Sequence, residues 1–95
     1  MDKLARRLLI KGRVQGVGFR WALRKEALHL GLDGWVRNLR NGEVEALVCG
    51  DAESVEAMTA WAHHGPSMAY VKEVLFNDVP ADHIDETGFE VIASY

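Results

Sequence analysis

Hydrophobic and polar residues alternate from Ala5 onward. Leu8, Ile10, Gly12 and Val14 fall on one face, Arg7, Lys11 and Arg13 on the other, and only Leu9 is out of phase. A period of two marks a half-buried strand, so the pattern predicts β-structure over 5–13. The period then lengthens: Phe19, Leu23, Ala27 and Leu30 recur at helical spacing, with Arg24, Lys25 and Glu26 off the stripe. This predicts a helix over 18–30, stopped by Gly31. Strand patterning returns over 33–38 and 43–49, where Val44, Ala46 and Val48 alternate inward. Between them stands Leu39-Arg40-Asn41-Gly42, whose Asn-Gly pair tolerates the positive φ of a hairpin turn. A second helix begins at 50–53, with Asp51 as N-cap and Glu53 as a first-turn acid. Its stripe is Val55, Met58 and Ala62, and Gly65-Pro66 stops it. Residues 68–78 read as a strand, although Lys72-Glu73 breaks the alternation and predicts a bulge or a switch of faces. Residues 80–87 are a polar, acidic loop, and 88–93 a last short strand.

The resulting order, β-α-β-β-α-β plus a terminal β, is that of an α+β, ferredoxin-like sandwich: two helices covering one face of an antiparallel sheet. The 95 residues suit a single domain spanning 1–95, with no linker. A lone Cys49 rules out an intrachain disulfide and multi-cysteine metal sites. The N-terminal apolar run, Leu8 to Ile10, is too short for a signal segment or membrane span, so the expected location is cytoplasmic. No strongly apolar outward face is evident, which predicts a monomer. The net charge of −3 divides into +7 over residues 1–40 and −10 over 41–95. If folding does not interleave the halves, a positive field surrounds the N-terminal half and favours a small anion.

That half carries the most unusual stretch, Gly12-Arg13-Val14-Gln15-Gly16-Val17-Gly18-Phe19-Arg20. A glycine-rich turn here feeds a helix N-terminus. Gly16 and Gly18 can take positive φ, so the backbone N–H groups of Gln15, Gly16, Val17, Gly18 and Phe19 can converge on one point. First-turn N–H groups lack intrahelical acceptors and sit at the positive end of the helix dipole. Arg20 adds a planar fork that matches two oxygens of a phosphate or carboxylate. The stretch is neither a P-loop nor G-x-G-x-x-G, and the plainer reading is a tight connection with a solvated arginine. Asn38 also has two readings: an Asx-type turn, or a fixed donor and acceptor aimed into a site. His63 and His64 project differently and have no third ligand, so they read as cations at a helix C-terminus, not a metal site. Trp21 reads as a packing residue, while the three tryptophans together are either core or an exposed patch.

Taken together, Gly12 to Arg20 and Gly34-Trp35-Val36-Arg37-Asn38-Leu39-Arg40-Asn41-Gly42 through Gly50 resemble the acylphosphatase family. The resemblance extends over essentially the whole chain, loosening around Lys72 and at Ser94-Tyr95, which are expected to lie away from the site. It implies hydrolysis of the carboxyl-phosphate bond of small acyl phosphates, with no metal and no cofactor. It also implies that Arg20 and the loop N–H groups bind the phosphoryl group and that Asn38 orients the attacking water. The implied sheet order is 4-1-3-2 with the fifth strand alongside, which brings Arg20 and Asn38 to one end. The chemistry agrees: a carboxylate leaving group needs no general acid, and phosphoryl transfer rests on positioning and charge stabilisation.

Other functions of this fold are poorly served. An RNA-recognition module needs aromatics on its middle strands, and residues 44–49 have none, so no nucleic-acid partner is expected. A soft-metal carrier needs paired cysteines near the first loop. The surviving rival is an anion-binding or regulatory domain without turnover, as in domains of this type within larger maturation enzymes. The start Met and short length favour the free enzyme.

Overall fold

The computed structural model describes residues 3–81 and 87–95. Its elements are β1 (Lys3–Arg13), α1 (Phe19–His29), β2 (Asp33–Asn38), β3 (Val44–Asp51), α2 (Ala52–Ala62), β4 (Tyr70–Val79) and β5 (Phe89–Val91). The strands form one sheet in the order β4-β1-β3-β2-β5. Both helices lie on one face: α1 packs on β2 and β5, and α2 on β1 and β3. Between the layers, Leu8, Ile10, Val36, Val44, Ala46 and Val48 meet Phe19, Leu23, Ala27, Val55, Met58 and Ala62. Every residue of both helical stripes is buried except Leu30, which packs on the core's margin.

Strand directions explain which ends matter. β1 pairs antiparallel with β3 and β4, and β2 pairs antiparallel with β3. The C-terminal ends of β1 and β2 and the N-terminal ends of β3 and β4 therefore share one rim, and α1 begins there. The sheet departs from the expected all-antiparallel arrangement at one place, since β5 runs parallel to β2. β4 and β5 occupy opposite edges. The chain leaves β4 at the far rim, so a strand that starts there on the other edge must run toward the same rim as β2. This parallel direction carries residues 92–95 up to the rim where β2 ends.

The break at Lys72-Glu73 is a bulge. Lys11 pairs with Glu73 and Gly12 with Val71, leaving Lys72 as the extra residue on β4. On the sheet face away from the helices, the buried Glu45 carboxylate accepts from Arg7 Nε and from Arg37 Nε at 2.7 Å. The Arg37 guanidinium also lies 4.5 Å from the Tyr95 ring centroid and 5.0 Å from that of Trp35. On the helix face, buried Arg6 donates to Asp78, Glu56 and Thr59 and so ties edge strand β4 to α2. These acceptors, Asp78 first, raise the Arg6 pKa against the opposing effect of burial, and the guanidinium stays charged at any working pH.

Three expectations are corrected. Trp21 is 61% exposed: it follows Phe19 by two residues, about 200° round the helix from the buried stripe. Asp51 occupies the N-cap of α2, but its side chain makes no capping bond. Outward apolar side chains do occur, with Tyr70, Leu75 and Phe76 exposed along β4. The predicted acidic loop falls partly on residues 82–86, outside the described residues.

Candidate active site

At the shared rim, β1 gives way to a turn over 14–18 that leads straight into α1. Gly16 and Gly18 adopt φ +74° and +77°, and a Cβ at either would meet nothing within 4 Å. Glycine is required there by backbone conformation, not by crowding. Gly18 is the N-cap of α1 and offers no side chain to the helix donors. The first intrahelical bond runs from Ala22 N–H to the Gly18 carbonyl, so the first-turn N–H groups upstream of it have no helical acceptor. No acidic residue stands in that first turn. The donor end of the helix thus keeps its positive character for an external anion.

Phe19 fixes the depth of this turn. Its ring is 2% exposed and meets Trp61 edge-on, with centroids 5.6 Å apart and planes at 62°. With Phe19 held in the core, the next residue, Arg20, emerges half-buried at the rim. Among the described residues Arg20 has no hydrogen-bond or ion-pair partner, unlike Arg6, Arg7, Arg24 and Arg37. Its donors remain available. Val17 packs its side chain against the core margin, so the turn is anchored on both sides of Gly18.

Asn38 closes β2 opposite Val44, on the helix-facing side of the sheet. Its Oδ1 is buried and has no hydrogen-bond partner among the described residues. The Asx-turn reading therefore does not hold, because that turn would satisfy the side-chain oxygen on nearby backbone. A buried acceptor left unsatisfied costs roughly 1–3 kcal/mol, which a water or ligand that donates to it removes.

Gln15 joins these two parts. Its Nε2 donates to the Leu39 carbonyl at 2.7 Å and to the Glu43 carbonyl at 2.9 Å, holding the turn against the end of β2. The C-terminal residues also arrive here, contrary to the expectation that they lie apart. Tyr95 N–H donates to the Asn38 carbonyl and Arg40 N–H to the Tyr95 carbonyl, both at 2.9 Å. Neither connection is legible in the sequence, since both depend on strand pairing across the molecule.

His63 Nδ1 lies 3.0 Å from the Thr59 carbonyl at the end of α2. No group of three or more His, Cys, Asp and Glu residues is placed to hold a metal ion among the described residues. A surface pocket of about 370 Å³ lies between the helices, lined by Ala22, Lys25, Glu26, His29 and Trp61. It includes neither Arg20 nor Asn38. A ring of N–H groups at a helix end makes a shallow cradle, not a deep cavity.

The sheet order and the two helices on one face define a ferredoxin-like α+β protein. The chain belongs to the acylphosphatase family: the family model described as Acylphosphatase matches residues 6–91. An acylphosphatase of Azoarcus sp. is 51% identical over 88 residues, covering 93% of this chain and 88% of its own. The structure of an acylphosphatase from Coxiella burnetii matches with a TM-score of 0.91 at 36% identity, covering 96% of this chain and 94% of that one. Full-length HypF, in its phosphate- and nucleotide-bound form, matches with a TM-score of 0.88 at 29% identity. It covers 98% of this chain, which corresponds to 12% of HypF.

Proposed function

We propose that this chain hydrolyses the carboxyl-phosphate bond of small acyl phosphates, with Arg20 and the N–H groups of residues 15–19 holding the phosphoryl group and Asn38 holding the attacking water. The carrying observation is a pair of unused polar groups on one rim: the buried, unpartnered Asn38 Oδ1 and the unpartnered Arg20 guanidinium, with Gln15 joining their two segments. An amide oxygen accepts a hydrogen bond from water and so orients its lone pair. A guanidinium and convergent N–H groups stabilise charge that spreads over three phosphoryl oxygens.

In the proposed step the water oxygen attacks phosphorus in line with the scissile bond. The P–O bond to the acyl group breaks, and the carboxylate leaves with the electron pair. The water proton passes to a phosphoryl oxygen, giving orthophosphate and a carboxylate. The leaving group is already a weak base, so no general acid is required. This accounts for a site made of glycines, an arginine and an asparagine, with no metal or cofactor in the scheme.

The second reading, an anion-binding domain without turnover, draws on the match to a small part of HypF. Hydrolysis of benzoyl or acetyl phosphate in excess EDTA, with Arg20→Ala alongside, separates them. Turnover that survives EDTA and vanishes in the variant supports the enzyme. Phosphate binding without turnover supports the second reading.

We also read the chain as one cytoplasmic, monomeric domain over 1–95. Among the described residues no helix is long and apolar enough to cross a membrane. On the exposed edge strand β4, Lys72, Glu73 and Asp78 interrupt the apolar residues and a bulge distorts the edge. Such devices oppose edge-to-edge pairing.

A further inference from the structure

Asn38 is held by its backbone alone, since its side chain bonds to no described residue. Where its amide points is therefore decided by what fixes residues 38 and 39. Four hydrogen bonds do so beyond the β2–β3 ladder. Tyr95 N–H donates to the Asn38 carbonyl at 2.9 Å, Leu39 N–H to the Glu43 carbonyl at 2.8 Å and Gly42 N–H to the Leu39 carbonyl at 3.2 Å. The fourth is Gln15 Nε2 to the Leu39 carbonyl at 2.7 Å. Of these, only the Gln15 bond originates in the phosphate cradle.

The same Nε2 also reaches the Glu43 carbonyl at 2.9 Å, so one amide grips both sides of the β2–β3 turn. A primary amide nitrogen has two hydrogens, and here two carbonyls are placed to receive them. Gln15 and its acceptors are 24 and 28 residues apart in the chain. The contact thus sets a distance between two segments that no local structure sets. Gln15 stands one residue before Gly16 and is half-buried, so the contact joins the β2–β3 turn to the chain right beside the cradle.

We infer that the Gln15 side chain is a positioning residue, which fixes the spacing between the phosphate cradle and the Asn38 water site. This rests on the reading of Arg20 and Asn38 given above. Gln15 plays two separable parts. Its backbone N–H belongs to the cradle, and its side chain holds the cradle in register with the other half of the site. Loss of the side chain leaves the anion site formed but lets the attacking water drift from the line of the P–O bond. A misplacement of about 1 Å costs about 100-fold in rate.

The test uses Gln15→Met, which keeps length and apolar packing and removes both donors. Gln15→Asn, which retains the amide but shortens its reach, serves as the second variant should the first fail to fold as judged by thermal unfolding. Each is measured in the wild-type and Asn38→Ala backgrounds for kcat on benzoyl phosphate and for competitive inhibition by inorganic phosphate. The inference predicts a fall in kcat of about 10- to 100-fold in the wild-type background, with phosphate inhibition changed by less than about 3-fold. It also predicts less than about 3-fold further loss in the Asn38→Ala background, because the brace acts through Asn38. An equal loss in both backgrounds, or an unchanged kcat in the wild-type background, overturns it. Arg20→Ala and Asn38→Ala controls that keep full activity would instead overturn the underlying site assignment.

Discussion

At the scale of single residues, the site depends on how a side chain is left unused. Arg6 and Arg20 are the same amino acid in opposite circumstances. Arg6 is buried and bonded to Asp78, Glu56 and Thr59, whereas Arg20 has no partner among the described residues. A guanidinium without an internal partner can give its whole planar fork to a ligand. Arg20→Lys keeps the charge and loses the fork, so it should lower kcat/KM for acetyl phosphate by at least about 10-fold and weaken phosphate inhibition in parallel. Steady-state kinetics with phosphate as inhibitor checks this, and unchanged constants would show that only charge is needed there. Arg6→Ala should leave kcat within about 2-fold. It should cost roughly 1–3 kcal/mol of stability, since the half-exposed Asp78 and Glu56 carboxylates can rehydrate once the arginine is gone. Urea unfolding followed by tryptophan fluorescence measures it. The residue scale is also where the sequence was least legible. The choice between an Asx turn and a free amide at Asn38 turns on partners supplied by the fold, and Trp21 is exposed because it lies on the side of α1 opposite the buried stripe.

At the scale of elements, the hydrophobic pattern anticipated most of what formed. β2 was placed with both ends as observed, and the Lys72-Glu73 irregularity proved to be the β4 bulge. Period-two and helical spacings are local consequences of backbone geometry, so one sequence displays them directly. The parallel β2–β5 pairing and the approach of Tyr95 to Asn38 were hidden because they arise from which edge of the sheet a distant strand occupies. The Gly-rich turn into α1 was readable for the opposite reason: positive φ at Gly16 and Gly18 is a local demand. Gly18→Ala tests that demand. With nothing within 4 Å of the new Cβ, the cost should be backbone strain alone, about 1–2 kcal/mol. The same strain should tilt the first-turn N–H groups, so phosphate inhibition should weaken together with kcat/KM. A stable variant with an undisturbed cradle would argue that the left-handed conformation at residue 18 is dispensable.

At the scale of the whole molecule, function follows from what the topology delivers to one rim. β1 ends there in the cradle, α1 begins there with a donor end free of acidic residues, and β2 ends there with Asn38. Helices and sheet are otherwise occupied with the core, the Arg6 network and the Arg7-Glu45-Arg37 ion pairs. The chain belongs to the acylphosphatase family, and the proposed function gives binding to the cradle with Arg20 and positioning of the water to Asn38. The separation of these two roles is the central claim, and a single comparison addresses it. Wild-type protein and Asn38→Ala are assayed side by side in excess EDTA for kcat on benzoyl phosphate and for inhibition by inorganic phosphate. The account predicts rapid metal-independent turnover in the wild type. In the variant it predicts a fall in kcat of about 100-fold or more with phosphate inhibition within about 3-fold of wild type. A variant that keeps the wild-type kcat would contradict the account, because the water would then be positioned by something other than Asn38.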